Sequence, residues 1–215
     1  MGWRRTERVV VVGAGMGGLA AAIDLARQGL DVTVCERAAV PGGKMREVDV
    51  AGAKVAAGPT VFTMRWIFEE LFAAAGASLD DYVDVVPADT LARHAWRQGG
   101  RLDLFADVER SADAIGDFAG AKDAAGFRSF CARSADIFRT LKPSFIAAER
   151  PNPVSLVNRV GLTNLDAMLR TEPFKTMWTA LGEHFADPRL RQLFGRYATY
   201  VGSSPWLTPA TLMLV

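Results

Sequence analysis

Four β-branched residues in a row, Val9 to Val12, begin the regular pattern of this chain. The run is too short for a helix and predicts a strand buried on both faces. It leads straight into Gly13-Ala14-Gly15-Met16-Gly17-Gly18. Leu19, Ala22, Ile23 and Ala26 then recur at helical spacing as far as Gly29, which stands where a helix-ending glycine belongs. A second apolar run, Val32 to Cys35, stops at the acidic Glu36. The order is strand, glycine turn, helix, strand.

Further along, Arg37 to Lys44 is a loop by its Pro41-Gly42-Gly43 content, and Val48 to Val55 reads as a short hairpin around Gly52. Gly58-Pro59-Thr60 breaks the pattern before a helix from about Arg65 to Gly76, with Ile67, Phe68, Leu71, Phe72 and Ala75 on one core-packing face. Leu91 to Arg97 and Arg101 to Phe105 flank Gln98-Gly99-Gly100, a hairpin signal outside the opening unit. From Asp107 onward the pattern is helical. Phe127, Phe130, Cys131, Ser134, Phe138 and Leu141 make one stripe up to Pro143, and Arg150 to Pro153 is a break. Phe174, Met177, Trp178, Leu181 and Phe185 make the next stripe. Asp187-Pro188 is an N-cap and first-turn proline opening a helix through Leu190, Leu193, Phe194, Tyr197 and Val201, and Gly202 to Pro205 closes it. The reading is an α/β chain with a Rossmann-like dinucleotide-binding domain over residues 1–90. The start of a second, largely helical region covers 91–215.

The opening turn carries chemistry. Gly13 permits the tight exit from the strand, Gly15 lets a pyrophosphate approach bare backbone, and Gly18 lets helix and strand pack closely. The phosphates then face free N–H groups at the positive end of the helix. Glu36 stands 18 residues beyond Gly18, near the offset at which a carboxylate takes a ribose hydroxyl. Gly42 and Gly43 can expose further amides, with Lys44 or Arg46 adding positive charge, although a plain turn would use the same residues. A rival reading makes Arg4, Arg5, Arg8 and the apolar stretch after them a secretory signal. Four glycines in that stretch, and the helix and strand completed beyond it, argue against it.

The totals narrow the function. Net charge is +1, which leaves no basic footprint for nucleic acid. No apolar run reaches the roughly 18 residues that span a bilayer. Cys35 and Cys131 are too far apart for a metal or redox spacing and read as two buried thiols. His94 and His184 lack ligand-spaced partners, so no metal is expected. The Phe, Met and Trp stripes suit a core first, the alternative being a wall for a large apolar ligand or a face resting on a membrane. Arg139, Lys142, Arg150, Arg159, Arg170, Lys175, Arg189, Arg191 and Arg196 accompany them, which suits a bilayer surface or any solvated helix face. The final segment, Trp206 to Val215, stops inside an apolar stretch without a polar tail and reads as a chain cut short.

Val9 to Glu36, Pro41-Gly42-Gly43-Lys44 and Gly58-Pro59-Thr60 ahead of the helix with Leu71-Phe72 together resemble the N-terminal half of phytoene desaturase-type flavoproteins. Within that family, Ala57 to Arg65 is most similar to the hydroxyneurosporene desaturases (methoxyneurosporene dehydrogenases) of purple phototrophic bacteria. Asp187 to Arg191 and Tyr200 to Gly202 resemble the same group and its amine oxidase relatives. The resemblance implies a glutathione reductase or amine oxidase-type fold binding FAD rather than NAD. Gly13, Ala14, Gly15, Met16, Gly17 and Gly18 would cradle its pyrophosphate, and Glu36, with Arg37 beside it, the adenosine ribose. Gly42, Gly43 and Lys44 would run along the coenzyme, and Gly58, Pro59 and Thr60 would approach the flavin. Ala56 departs from the family, which commonly has an acidic residue there.

The implied reaction removes two hydrogens from an acyclic 1-hydroxycarotenoid, introducing its 3,4 double bond, with the cofactor carrying the chemistry. Asp166, Glu172, Glu183 and His184 are the available polar groups, none singled out as a base, and surface solvation is their bland reading. The implied setting is cytoplasmic, at a membrane surface, with a carotenoid as substrate and no nucleic acid. The 215 residues alone are expected to retain flavin weakly and to be inactive. Rival functions are phytoene desaturation, oxidation of a small amine, and an NAD(P)-linked dehydrogenase. A lipid-carrying module like the GDP-dissociation inhibitors is a non-enzymatic alternative, although in those relatives the phosphate turn is degraded.

Overall fold

A computed structural model describes residues 7–59, 61–147 and 171–214, and the chain divides into two compact units, Met1–Val86 and Pro87–Val215. In the first unit β1 (Arg8–Val12) and β2 (Asp31–Cys35) pair in parallel, with Arg8 opposite Asp31 and Val12 opposite Cys35. A parallel pair needs a crossover, here α1 (Met16–Arg27). Gln28 closes that helix and Gly29 follows at φ +88°, as the spacing predicts.

The sheet is less enclosed than a valine run predicts. Val10 is 62% and Val12 87% exposed, whereas Val9 and Val11 are half-buried. The helix lies on the Val11 face: a Cβ built on Gly18 would stand 3.6 Å from Val11 Cγ1. Among the described residues nothing covers the other face. Apolar residues on both sides of a strand state a preference for cover without supplying it.

β3 (Glu47–Val50) and β4 (Ala53–Ala56) form the expected hairpin, with Gly52 donating its amide to Asp49 Oδ1 at 2.9 Å. α2 (Arg65–Ala74) follows and is stopped at Gly76. Its apolar face does not become core: no residue of α2 is buried, and Ile67 is 40% exposed. It packs against α1 and the turn Leu79–Asp81, with Phe62 and Tyr82 against the rings of Phe68 and Phe72, and these together do not cover a full stripe.

The second unit holds the larger core. β5 (Thr90–Ala95) and β6 (Arg101–Phe105) pair antiparallel across Gly99 and Gly100, both at positive φ. Leu102 and Leu104 of β6 are buried against α3 (Val108–Ala119), which Asp107 caps through an Arg110 amide at 2.7 Å. Ser111 Oγ fixes the same junction, accepting from the Phe105 amide and donating to its carbonyl. After Gly120 comes α4 (Ala121–Leu141), continued by one wide turn, Lys142–Ile146.

α5 (Met177–His184) and α6 (Pro188–Gly195) complete the packing, with Asp187 capping α6 as its sequence predicts. α4 touches the end of α5 closely enough that a Cβ on Gly126 would overlap the His184 carbonyl oxygen. Asp123, buried on α4, accepts the amides of Ala186 and Asp187 at 2.7 and 3.2 Å and fixes the link between α5 and α6.

Two stripes shift by a residue or more. On α4 the fully buried position is Ile137, 1% exposed, while Phe138 is only half-buried, because the stripe must step by three here to stay on one face. Phe174 is 91% exposed, since it precedes the first turn of α5 and is not on the helix at all. The expected break at Arg150 to Pro153 lies outside the described residues, as do Arg159, Asp166 and Arg170.

Candidate functional site

Three stretches of the first unit converge at the start of α1. The Gly13 amide donates to the Cys35 carbonyl at 2.7 Å, holding the turn against the end of β2, and Gly13 has φ +101°, a conformation that disfavours a side chain. A Cβ on Gly18 would overlap the Gly13 carbonyl oxygen, so this glycine is required by the turn itself. Gly15 is different. Its φ is −77°, and a Cβ there would lie 3.9 Å from Gly43 Cα, an ordinary contact. Its bareness serves nothing in the packing.

The loop after β2 folds back onto this turn. The Gly42 amide donates to the Ala14 carbonyl at 2.8 Å, and Gly42 has φ +122°. A Cβ on Gly43 would come within 3.0 Å of Gly15 Cα, and one on Gly58 would overlap the Lys44 carbonyl oxygen. The structure thus gathers Gly13 to Gly18, Gly42, Gly43, Lys44 and Gly58 into one neighbourhood. Lys44, Met16 and Pro59 are exposed beside it, Arg37 is exposed next to Glu36, and Thr60 lies outside the described residues.

Glu36 is bound to the turn. Its Oε2 accepts the Ala14 amide at 2.6 Å and its Oε1 the Ala38 amide at 2.8 Å. These backbone hydrogen bonds, that from Ala38 foremost, hold its carboxyl below the usual carboxylate range. Ala38 has no signal in the sequence, because the contact uses only its backbone.

No side chain caps α1, so by helix geometry its first amides, Met16, Gly17 and Gly18, have no intrahelical acceptor at the positive end of the dipole. Bare glycine backbone, the amides of the first helical turn and a carboxylate after the second strand form a cradle matching a dinucleotide: diphosphate at the helix, ribose at the acid. FAD fits this donor set.

Several charged groups of the second unit are paired with one another. Lys175 Nζ joins Glu172 at 2.7 Å and Glu183 at 2.9 Å, and Arg133 approaches Glu172 at 3.7 Å. Arg189 pairs with Asp187 at 2.7 Å over the Phe118 ring, Arg139 lies 3.4 Å from Asp136, and Arg191 donates to the Phe185 carbonyl. His184 is held below the ordinary imidazole value, chiefly by burial, beside the Phe130 ring. None of these groups is aligned with another as a nucleophile and base.

The cysteines depart from expectation. Cys35 is exposed, because the end of β2 lacks cover, while burial pushes the half-buried Cys131 thiol up to about 11. The second unit also contains a cavity of about 530 Å³, whose wall includes His94, Trp96, Trp178, Arg196 and Trp206. Of these, only Trp178 lies on an apolar stripe of the sequence. The others come from strands and turns distant in sequence, which no periodicity links.

Comparison with known proteins agrees with this geometry. The sequence profile of the NAD(P)-binding Rossmann-like domain family matches residues 11–74, which hold the whole cradle. Hydroxyneurosporene desaturase of Rubrivivax gelatinosus is 54% identical over 212 residues, 98% of this chain and 40% of the relative. By sequence the chain is similar to carotenoid desaturases over part of their length. The hydroxyneurosporene desaturase of Rhodobacter capsulatus is 47% identical over 212 residues, 99% of this chain and 43% of that protein. A phytoene dehydrogenase of Streptomyces griseus is 33% identical over 199 residues, 93% of this chain and 38% of that protein. The chain therefore spans about two fifths of the length of its curated relatives. Among solved structures, putrescine oxidase matches with a TM-score of 0.52 at 18% identity, over 98% of this chain and 41% of the oxidase. That likeness shows the fold that this chain shares with part of the oxidase.

Proposed function

We propose that this chain supplies the adenosine-diphosphate side of the FAD site in a desaturase of acyclic 1-hydroxycarotenoids. The observation that carries the reading is the packing of Gly43 on Gly15 at the mouth of α1. It brings a second glycine pair to the phosphate turn, which a plain nicotinamide-binding turn leaves unexplained. The amides of Met16, Gly17 and Gly18 hold the diphosphate, and Gly15 leaves room for it. Glu36 retains lone pairs beyond its two amide bonds and takes a ribose hydroxyl with them. Gly42, Gly43 and Lys44 line the coenzyme, and Gly58, Pro59 and Thr60 lead toward its flavin end. When bound, FAD accepts the two reducing equivalents that a carbon–carbon desaturation releases. The first unit is thus the coenzyme domain and the second the beginning of the substrate domain.

The substrate is assigned by analogy with the relatives whose names specify hydroxyneurosporene. The protein works at a membrane surface, where such a polyene dissolves. Phe174, Trp206 and Leu207 are exposed, on neighbouring segments joined by the Thr176–Pro209 bridge, and are suited to that contact. Among the described residues no helix is long and apolar enough to cross a membrane.

The test is a graft. This chain replaces the matching segment of the Rubrivivax gelatinosus enzyme, and flavin content and conversion of hydroxyneurosporene are measured. The expected product is a yellow protein that desaturates. A well-folded, colourless graft contradicts the reading.

A further inference from the structure

We propose that the cavity of the second unit binds the phosphate of an anionic phospholipid headgroup, with Arg196 as its counter-charge. The assignment rests on the membrane-surface reading and gives it a lipid chemistry. Three indoles, Trp96, Trp178 and Trp206, contribute to the wall, and the last two have ring centroids 4.9 Å apart. A volume of about 530 Å³ is within the range of small-molecule sites. Trp206 is exposed, as are Tyr200 and Leu207, which adjoin lining residues in sequence. Indole and phenol rings favour the boundary between lipid headgroups and acyl chains.

The charge of the cavity is one-sided. No aspartate or glutamate lines it, and Arg196 makes no ion pair among the described residues. Its guanidinium lies 5.4 Å from the Tyr197 ring centroid, a contact that supplies no negative charge. Burial foremost, and then Arg196, holds the His94 imidazole below its ordinary value, with Asp103 opposing, so His94 adds no charge at neutral pH. Ser203, Ser204 and Trp178 also line the cavity, and each has a side-chain O–H or N–H without an acceptor among the described residues. Donors and one cation, with no carboxylate, call for a ligand that supplies acceptors and negative charge. A phosphate diester does both, and a guanidinium matches its geometry. Three indoles alone would also suit a quaternary ammonium, but Arg196 repels that cation. A free phosphate would leave the indoles without an apolar partner.

Tryptophan fluorescence of the intact chain tests this, since three of its five tryptophans line the cavity. Three probes are titrated, the lipids as monomers below their micelle-forming concentrations: dihexanoyl phosphatidylglycerol, dihexanoyl phosphatidylcholine and inorganic phosphate. The phosphatidylglycerol is expected to bind at least about tenfold more tightly than either of the others. Arg196→Gln should erase that preference, and Arg196→Lys, which keeps the charge, should preserve part of it. Arg139→Gln, which removes a cation that does not line the cavity, should leave it unchanged. Circular dichroism verifies the fold of each variant. Equal binding of the two lipids, phosphate binding as tightly as phosphatidylglycerol, or a preference that survives in Arg196→Gln or falls equally in Arg139→Gln overturns the assignment. Sedimentation with phosphatidylcholine vesicles reads membrane contact separately, so vesicle binding without an anion preference would count against the cavity and not against the membrane reading.

Discussion

The amide of Ala14 donates to Glu36 Oε2 at 2.6 Å, so the acid just after β2 is a structural part of the glycine turn after β1. The Gly13 amide, donating to the Cys35 carbonyl at 2.7 Å, ties the same two points from the next residue along. The turn is therefore set by the second strand as well as by its own glycines. The sequence offset between Gly18 and Glu36, usually read as a ribose contact, serves the fold first.

Glu36 should make stability depend on pH. Its carboxyl is held below the usual carboxylate range by backbone amides, so its contribution is fully present above the unfolded value. It is lost as pH falls through the folded value. Urea unfolding of the wild type and Glu36→Gln should show a difference at neutral pH that vanishes in acid. A difference independent of pH would show that the amide bonds to the carboxylate contribute nothing.

Gly15 and Gly18 should separate binding from folding. Gly18→Ala places a Cβ on the Gly13 carbonyl oxygen and should cost about 1–3 kcal/mol in stability. Gly15→Ala meets only an ordinary contact with Gly43 and should leave stability within about 0.5 kcal/mol. In the graft it should nevertheless weaken FAD by at least about tenfold. Thermal unfolding and flavin titration on the two variants check both halves.

Asp123 should be a stability residue of the second unit. It is buried and accepts two backbone amides ahead of α6. Asp123→Ala leaves both donors unpaired and should cost about 1–3 kcal/mol in urea unfolding. Little or no loss would mean that the link between α5 and α6 is held by packing alone.

The cysteines should differ in reactivity. Cys35 is exposed, while Cys131 is half-buried with its thiol pushed up to about 11. Alkylation at mildly alkaline pH followed by peptide mass analysis should find Cys35 modified well before Cys131. Equal rates would contradict the burial of Cys131.

Local order was readable along most of the chain because it rests on local chemistry. Gly29, Gly76 and Asp187 stand where helix ends require them, and both hairpins turn at their glycines. Burial was less readable. Val12 and Ile67 are apolar yet exposed, since cover depends on partners that no local pattern encodes. The cradle was legible in its glycines, but not the seating of Gly43 on Gly15 or the grip of Ala14 and Ala38 on Glu36, which are backbone contacts. The cavity was illegible, because His94, Trp178 and Trp206 meet only through tertiary packing.

The most direct measurement is an amide nuclear magnetic resonance titration of this chain with FAD, carried to concentrations on the order of millimolar so that weak binding registers. The amides of Met16, Gly17 and Gly18, with those of Gly42 and Gly43, should shift together and saturate, and the same titration on Gly15→Ala should move them far less. Saturating shifts confined to other residues, or none at all in a folded sample, would contradict the coenzyme cradle.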